Sequence, residues 1–340
     1  MTLPNGNYPT LSALTASCLC AEPARIDRWL DILEGHTSRY ESPKVWEALL
    51  RHELLNLRTA ERARAESLID TLLDKFPSIV NGRAWVHFVA HAYHWCSRAS
   101  AQRWVMRTLN EATNSQGAGE LIGLRYARSP EEIWSRELAY SLATGETTFA
   151  SRGLAFCVAH LWHEPITRPV VHPLLLQLLC SVDKQVLDAL SELFLTDGFA
   201  ADPETRELLD AFVVYPSVLK NGRAEHLPEL LAKLVAAEPE RVCRVAHALL
   251  DTAGDQMGNI ATSWYLGTEW LLDIALQLQD LGNAQRAAGS MLFERMLEFN
   301  IPQAVELTLN LDKRMPGSDF PRPNVSRRSR TKQPRPARNE

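Results

Sequence analysis

The feature that most constrains this chain is the period at which its apolar residues recur. Leu227, Leu230, Leu231 and Leu234 stand at i, i+3, i+4 and i+7, the stripe of one helix face. No stretch shows the sustained two-residue alternation of a half-buried strand. The nearest strand-like run, Phe212 to Tyr215, stops at Pro216 and reads as the end of a helix. Start signals are plentiful. Ser129-Pro130-Glu131-Glu132 offers a capping hydroxyl, a proline with no N–H to waste and a glutamate able to reach back. Asp202-Pro203-Glu204 and Ser42-Pro43 open further helices. Only 16 of the 340 residues are glycine, which leaves little material for tight β-turns.

These signals predict helices over 22–35, 43–58, 60–76, 83–97, 99–114, 117–127, 130–144, 150–162, 168–181, 183–195, 203–215, 225–237, 239–252, 259–281, 283–299 and 301–314. Many helices of similar length with short links predict an all-α chain. The expected arrangement is an α-solenoid of stacked, HEAT-like helix hairpins, each pair burying its apolar faces on its neighbours. One internal echo points the same way. Leu68-Ile69-Asp70 followed by Pro77-Ser78-Ile79-Val80-Asn81-Gly82-Arg83 resembles Leu208-Leu209-Asp210 followed by Pro216-Ser217-Val218-Leu219-Lys220-Asn221-Gly222-Arg223. It reads either as two similar turns between helices or as a duplicated half. The expected organisation is a lead-in over 1–20, a repeat domain over 21–314 and a disordered basic tail over 315–340. The tail has prolines and arginines but no apolar period, so it cannot offset its ordering entropy.

Charge separates the same regions. Residues 313–340 hold nine Lys/Arg and two acids, a balance of +7. The whole chain carries −5, so the rest carries −12. An acidic body does not resemble a phosphate-binding groove, so another protein is the expected partner and only the tail could take nucleic acid. The tail residues that would carry it are Arg327, Arg328, Arg330, Lys332 and Arg335. Six scattered cysteines (Cys18, Cys20, Cys96, Cys157, Cys180 and Cys243) form no CxxC pair and read as reduced thiols, most of them core residues. No Lys or Arg precedes the short apolar run at 11–20, and no run is long enough to span a bilayer. The expected location is the cytoplasm, with no membrane partner.

Chemical motifs are sparse. His87, His91 and His94 lie at i, i+4 and i+7 and are the first metal-ligand candidates. His87 and His94 would be about 10 Å apart along a helix axis, too far to close one site together. His160, His163, Glu164 and His172 form a second candidate. There is no HExxH, no Gly-Lys dipeptide for a phosphate loop, no GxGxxG and no GxSxG. No cofactor and no catalytic residue is therefore assigned. Tryptophans are frequent at 85, 95, 104, 134, 162, 264 and 270. They either fill gaps between helices or line a binding face, with Trp104 and Trp134 as the first anchors to consider.

The segment Arg286 to Asn300, followed by Ala304 to Asp312, resembles the C-terminal helical repeats of large bacterial STAND-type NTPases and HEAT-like repeats in general. That resemblance covers about 30 residues and implies a sensing or partner-binding role. It carries no catalytic residue, because the chain departs from the family in having no phosphate loop. The expected function is a non-catalytic protein–protein interaction module, a recognition or scaffold subunit of a bacterial defence or signalling system. The alternatives are a metal-dependent enzyme with its histidines on a helix and a nucleic-acid adaptor acting through the tail.

Overall fold

The structure is a computed structural model that describes residues 62–312, except 76, 93–95, 112–114, 147, 196–198, 221 and 255–264. The expected lead-in, the helices at 22–35 and 43–58, and the basic tail with Arg327, Arg328, Arg330, Lys332 and Arg335 lie outside the described residues. The described residues are all-helical, with no strand among them. The helices are α1 (Arg62–Lys75), α2 (Arg83–Ala92), α3 (Arg98–Glu111), α4 (Gln116–Arg128), α5 (Ile133–Thr144), α6 (Phe149–Leu161), α7 (Arg168–Leu179), α8 (Lys184–Leu190), α9 (Pro203–Val214), α10 (Leu227–Ala232), α11 (Pro239–Gly254), α12 (Tyr265–Leu281), α13 (Asn283–Glu298) and α14 (Pro302–Asp312). Short 3₁₀ turns cover Pro77–Asn81, Ser191–Leu195, Pro216–Lys220 and Gly222–His226. None of the described helices is long and apolar enough to cross a membrane.

Odd-numbered helices from α1 to α11 start at 62, 98, 133, 168, 203 and 239, so each begins 35 or 36 residues after the last. Alternate helices pack on one another. α2 touches α4, α4 touches α6 and α6 touches α8. Among the odd helices, α5 touches α7, α7 touches α9, α9 touches α11 and α11 touches α13. Glycine sets how closely some of them approach. A methyl group at Gly117 would collide with the Val86 carbonyl of α2, and one at Gly119 with the Ala150 carbonyl of α6. Gly153 of α6 faces the Gln116 carbonyl of α4 in the same way.

Several odd helices are joined to the next by polar side chains 33 to 44 residues apart. Asp70 accepts from Arg103 at 2.6 Å and from the Trp104 indole at 2.8 Å. Asp74 accepts from Arg107 at 2.8 Å. His172 meets Glu207 at 3.0 Å, Asp210 accepts from Arg244 at 2.7 Å, and Asp251 accepts from Arg295 at 2.7 Å. A second set holds the residue just before an odd helix. Glu66 of α1 accepts from the backbone N–H and hydroxyl of Ser97, ahead of α3. Arg98 of α3 pairs with Glu132 ahead of α5, Arg168 of α7 with Asp202 ahead of α9, and Arg206 of α9 with Glu238 ahead of α11. α1, α3, α7 and α9 thus each hold the entry of the odd helix that follows.

One start signal fails in an informative way. Ser129 does not N-cap α5 but closes α4, its N–H returning to the Arg125 carbonyl; residues 130–131 form a turn and α5 begins at Ile133. Glu132, expected to reach back to Ser129, is buried and instead pairs with Arg98 at 3.1 Å and faces Arg125 at 3.6 Å. A buried carboxylate needs a countercharge more than the helix needs a cap, and two guanidiniums are available. Asp202 behaves as expected and accepts from the Thr205 N–H at 2.8 Å.

The echoed segments occupy equivalent places. Both Pro77–Asn81 and Pro216–Lys220 are 3₁₀ turns, with Ile79 and Val80 buried in one and Val218 and Leu219 in the other. Asp70 and Asp210, matched in the echo, each receive an arginine from the next odd helix.

Candidate interaction surface

The aromatic and histidine candidates settle first. Trp104 is 1% exposed and packs against Trp85 and Phe88 with ring centroids 6.3 and 5.9 Å away. Its indole N–H is taken by Asp70, so it is a core residue, not an exposed anchor. Trp85 is buried as well and donates to the Thr108 hydroxyl at 2.9 Å. Trp134 is half-buried against the core. For Trp85 and Trp104, a buried indole with a polar partner is worth more as packing than as a surface handle. His87 is exposed on α2, while the side chain of His91 and all of His94 lie outside the described residues. Among the described residues no three His, Cys, Asp or Glu side chains gather as a metal site.

Of the second histidine group, His163 and His172 pack against the buried Trp162, whereas His160 is exposed and Glu164 pairs with Arg128. The Trp162 indole donates to Nδ1 of His172 at 3.1 Å. His172 therefore carries its proton on Nε2, which donates to Glu207. Arg168 stacks on the Trp162 ring at 4.5 Å, donates to the Trp162 carbonyl at 2.8 Å and pairs with Asp202. His163 packs edge-on to Trp162. Burial, then the nearby Arg168 and His160, push its pKa down to about 4. These groups tie α6, α7 and α9 together.

The thiols divide by burial: Cys180 is exposed and donates to the Leu176 carbonyl at 3.4 Å. Cys96, Cys157 and Cys243 are buried. Burial pushes the Cys96 thiol up to about 11 and drives Cys157 higher still, so neither presents a thiolate near neutral pH.

An open cleft of about 620 Å³ lies along the even helices. Gln116 of α4 borders it, with Arg152 and Phe156 from α6 and Lys184, Asp188 and Ala189 from α8. The following turns add Ser191 and Glu192, then Lys220 and Arg223. Four cations and two carboxylates thus share one concavity. Arg223 pairs with Glu192, whereas Arg152, Lys184 and Lys220 are exposed and make no ion pair among the described residues. Phe156 is 39% exposed, and Phe149, two turns earlier on the same face of α6, is 49% exposed. Arg152 lies between them on that face.

Sequence reading misses this face because it ranks aromatics by size and so favours tryptophan. The usable signal is local: Phe149, Arg152, Phe156 and His160 at steps of three and four put a cation and two rings on the stripe opposite Leu154, Val158 and Leu161, which are buried. The contributions from 184, 220 and 223 come from separate turns and have no linear signature.

No protein-family model matches the chain, and no curated protein or solved structure is significantly similar to it.

Proposed function

We propose that the chain is an α-solenoid of stacked helix pairs that works by binding another protein, as a recognition or scaffold subunit in the cytoplasm. The observation that supports this most directly is the recurrence of odd helices every 35 or 36 residues from α1 to α11, with alternate helices in contact. Such an array would present side chains of successive units on one face, and the cleft is lined by residues of α4, α6 and α8 in turn. The likeness of 286–312 to the repeats of STAND-type NTPases points in the same direction, to a bacterial defence or signalling system.

The test is isolation of the tagged full-length chain from its native cells, with nuclease treatment, followed by quantitative mass spectrometry. A protein partner at near-stoichiometric level is the expected result. Loss of all bound material on nuclease treatment would favour the nucleic-acid adaptor through the tail. Zinc bound stoichiometrically to a chain without a partner would favour the histidine enzyme.

A further inference from the structure

We propose that the cleft formed by α6, α8 and the turns at 191–195 and 216–226 seats an extended acidic segment of the partner, bearing one large apolar side chain. This rests on the protein-binding reading above and adds the chemistry of the ligand.

Charge is the first argument. The chain outside its tail carries −12, yet Arg152, Lys184 and Lys220 stand together with no carboxylate among the described residues paired to any of them. Isolated cations at the rim of a concavity raise the local concentration of opposite charge and orient it, while salt screens the acidic remainder beyond about 8 Å. Spacing is the second argument. The three cations come from α6, α8 and the 216–220 turn, so they meet carboxylates set apart along a chain. The third argument is apolar. Phe156 and Ala189 line the same cleft, and a half-exposed phenyl ring beside cations suits a Leu or aromatic side chain flanked by Asp or Glu. Nucleic acid fits less well. A lone phenyl ring offers poor stacking for successive bases.

The experiment measures fluorescence anisotropy with the full-length chain. The probes are labelled synthetic peptides that alternate acidic residues and carry a central Leu, Phe or Trp. Matched probes replace the central residue by Ser, or all acids by Lys. A single-stranded oligonucleotide of similar charge and inorganic phosphate as competitor complete the set. The acidic apolar peptides should bind, and K184E/K220E should weaken them about tenfold or more while leaving the helical circular dichroism unchanged. The milder K184A/K220A pair should give a smaller loss in the same direction. F156S should weaken the apolar peptides but not the Ser-substituted ones. The proposal is overturned if no acidic peptide binds, if K184E/K220E leaves binding intact, or if the oligonucleotide binds at least as tightly and phosphate displaces it. A native partner that still co-purifies with K184E/K220E at wild-type yield refutes the cleft assignment and leaves the binding reading standing. Recovery of no protein partner from native cells refutes that reading, whatever the peptides do.

Discussion

Arg168 shows how much one side chain can hold. Its guanidinium stacks on Trp162, donates to the Trp162 carbonyl and pairs with Asp202 at the start of α9, and the residue is itself buried. Arg103, by contrast, is an exposed partner of Asp70. Exposed pairs contribute about 0–1 kcal/mol, whereas stripping one member of a buried, hydrogen-bonded pair costs about 3–5 kcal/mol. Arg168→Ala should therefore lower the urea midpoint markedly and Arg103→Ala barely. Neighbouring His163 sets a pH response. Its folded pKa of about 4 lies below the roughly 6.5 of an unfolded histidine, so the unfolded chain takes up the proton first. The associated stability is complete above about pH 6.5 and declines as the pH falls towards 4. His163→Gln should flatten stability over that window in a urea titration at each pH. Glu66 acts at lower pH. Burial raises its pKa, but bonds from Ser100, Ser97 and Arg62 outweigh that and hold it below the ordinary value. Its contribution should vanish only as the pH falls through that depressed value, which Glu66→Gln should remove separately. At this scale the sequence is least legible. Glycines and start signals can be read in order along the chain, but the partners of Glu132 and Trp104 lie about 34 residues away and leave no local mark.

The helices themselves are largely legible, because each carries its own period and often its own stop. Spans expected at 60–76, 203–215 and 283–299 appear as Arg62–Lys75, Pro203–Val214 and Asn283–Glu298. The expected span 183–195 splits into α8 and a 3₁₀ turn at Ser191, where the Ser191 hydroxyl donates to the Asp188 carbonyl at 2.6 Å. A serine that bonds back into its own helix competes with the backbone ladder. Two other ends follow from side-chain chemistry. Thr148 and Ser151 form a reciprocal capping box at α6, the arrangement that Ser129 does not make at α5. At the end of α13, Asn300 adopts φ 53°, and the Ile301 N–H returns to the Met296 carbonyl at 3.0 Å. That left-handed closure suits Asn better than most side chains. The contact between α4 and α6 is where element and packing preferences oppose each other. In an exposed helix Gly→Ala gains about 1 kcal/mol in propensity. At Gly119 the added methyl meets the Ala150 backbone, which cannot swing aside as a side chain can. Overpacking of this kind costs about 1–3 kcal/mol, so Gly119→Ala should destabilise despite the better helix former. A higher urea midpoint for Gly119→Ala would show that α6 moves away at little cost.

For the molecule as a whole, the decisive question is how far a local injury spreads. A chain with one central core loses protection everywhere when any core residue is truncated, because folding is cooperative throughout. A stacked array responds differently, since each unit leans chiefly on its neighbours and stability is close to a sum of nearest-neighbour terms. The echo between 68–83 and 208–223 has an offset of 140 residues, which spans four helix pairs between α1 and α9. The sequence does not reveal the shorter spacing, because the polar residues that bridge neighbouring units are Asp and Arg in one place, Glu and Ser in another and His and Glu in a third. Met296 is fully buried in α13, near one end of the described helices. Met296→Ala removes a core side chain at a cost of about 2–5 kcal/mol. Hydrogen exchange followed by mass spectrometry should then show faster exchange in α11 to α14, while α4, α6 and α7 keep nearly wild-type protection. α13 packs on α11, α12 and α14, so the loss should stop within one or two pairs of the injury. Equal acceleration across α4 to α14 would mean that the helices share one cooperative core and that the helix spacing describes their arrangement without dividing their stability.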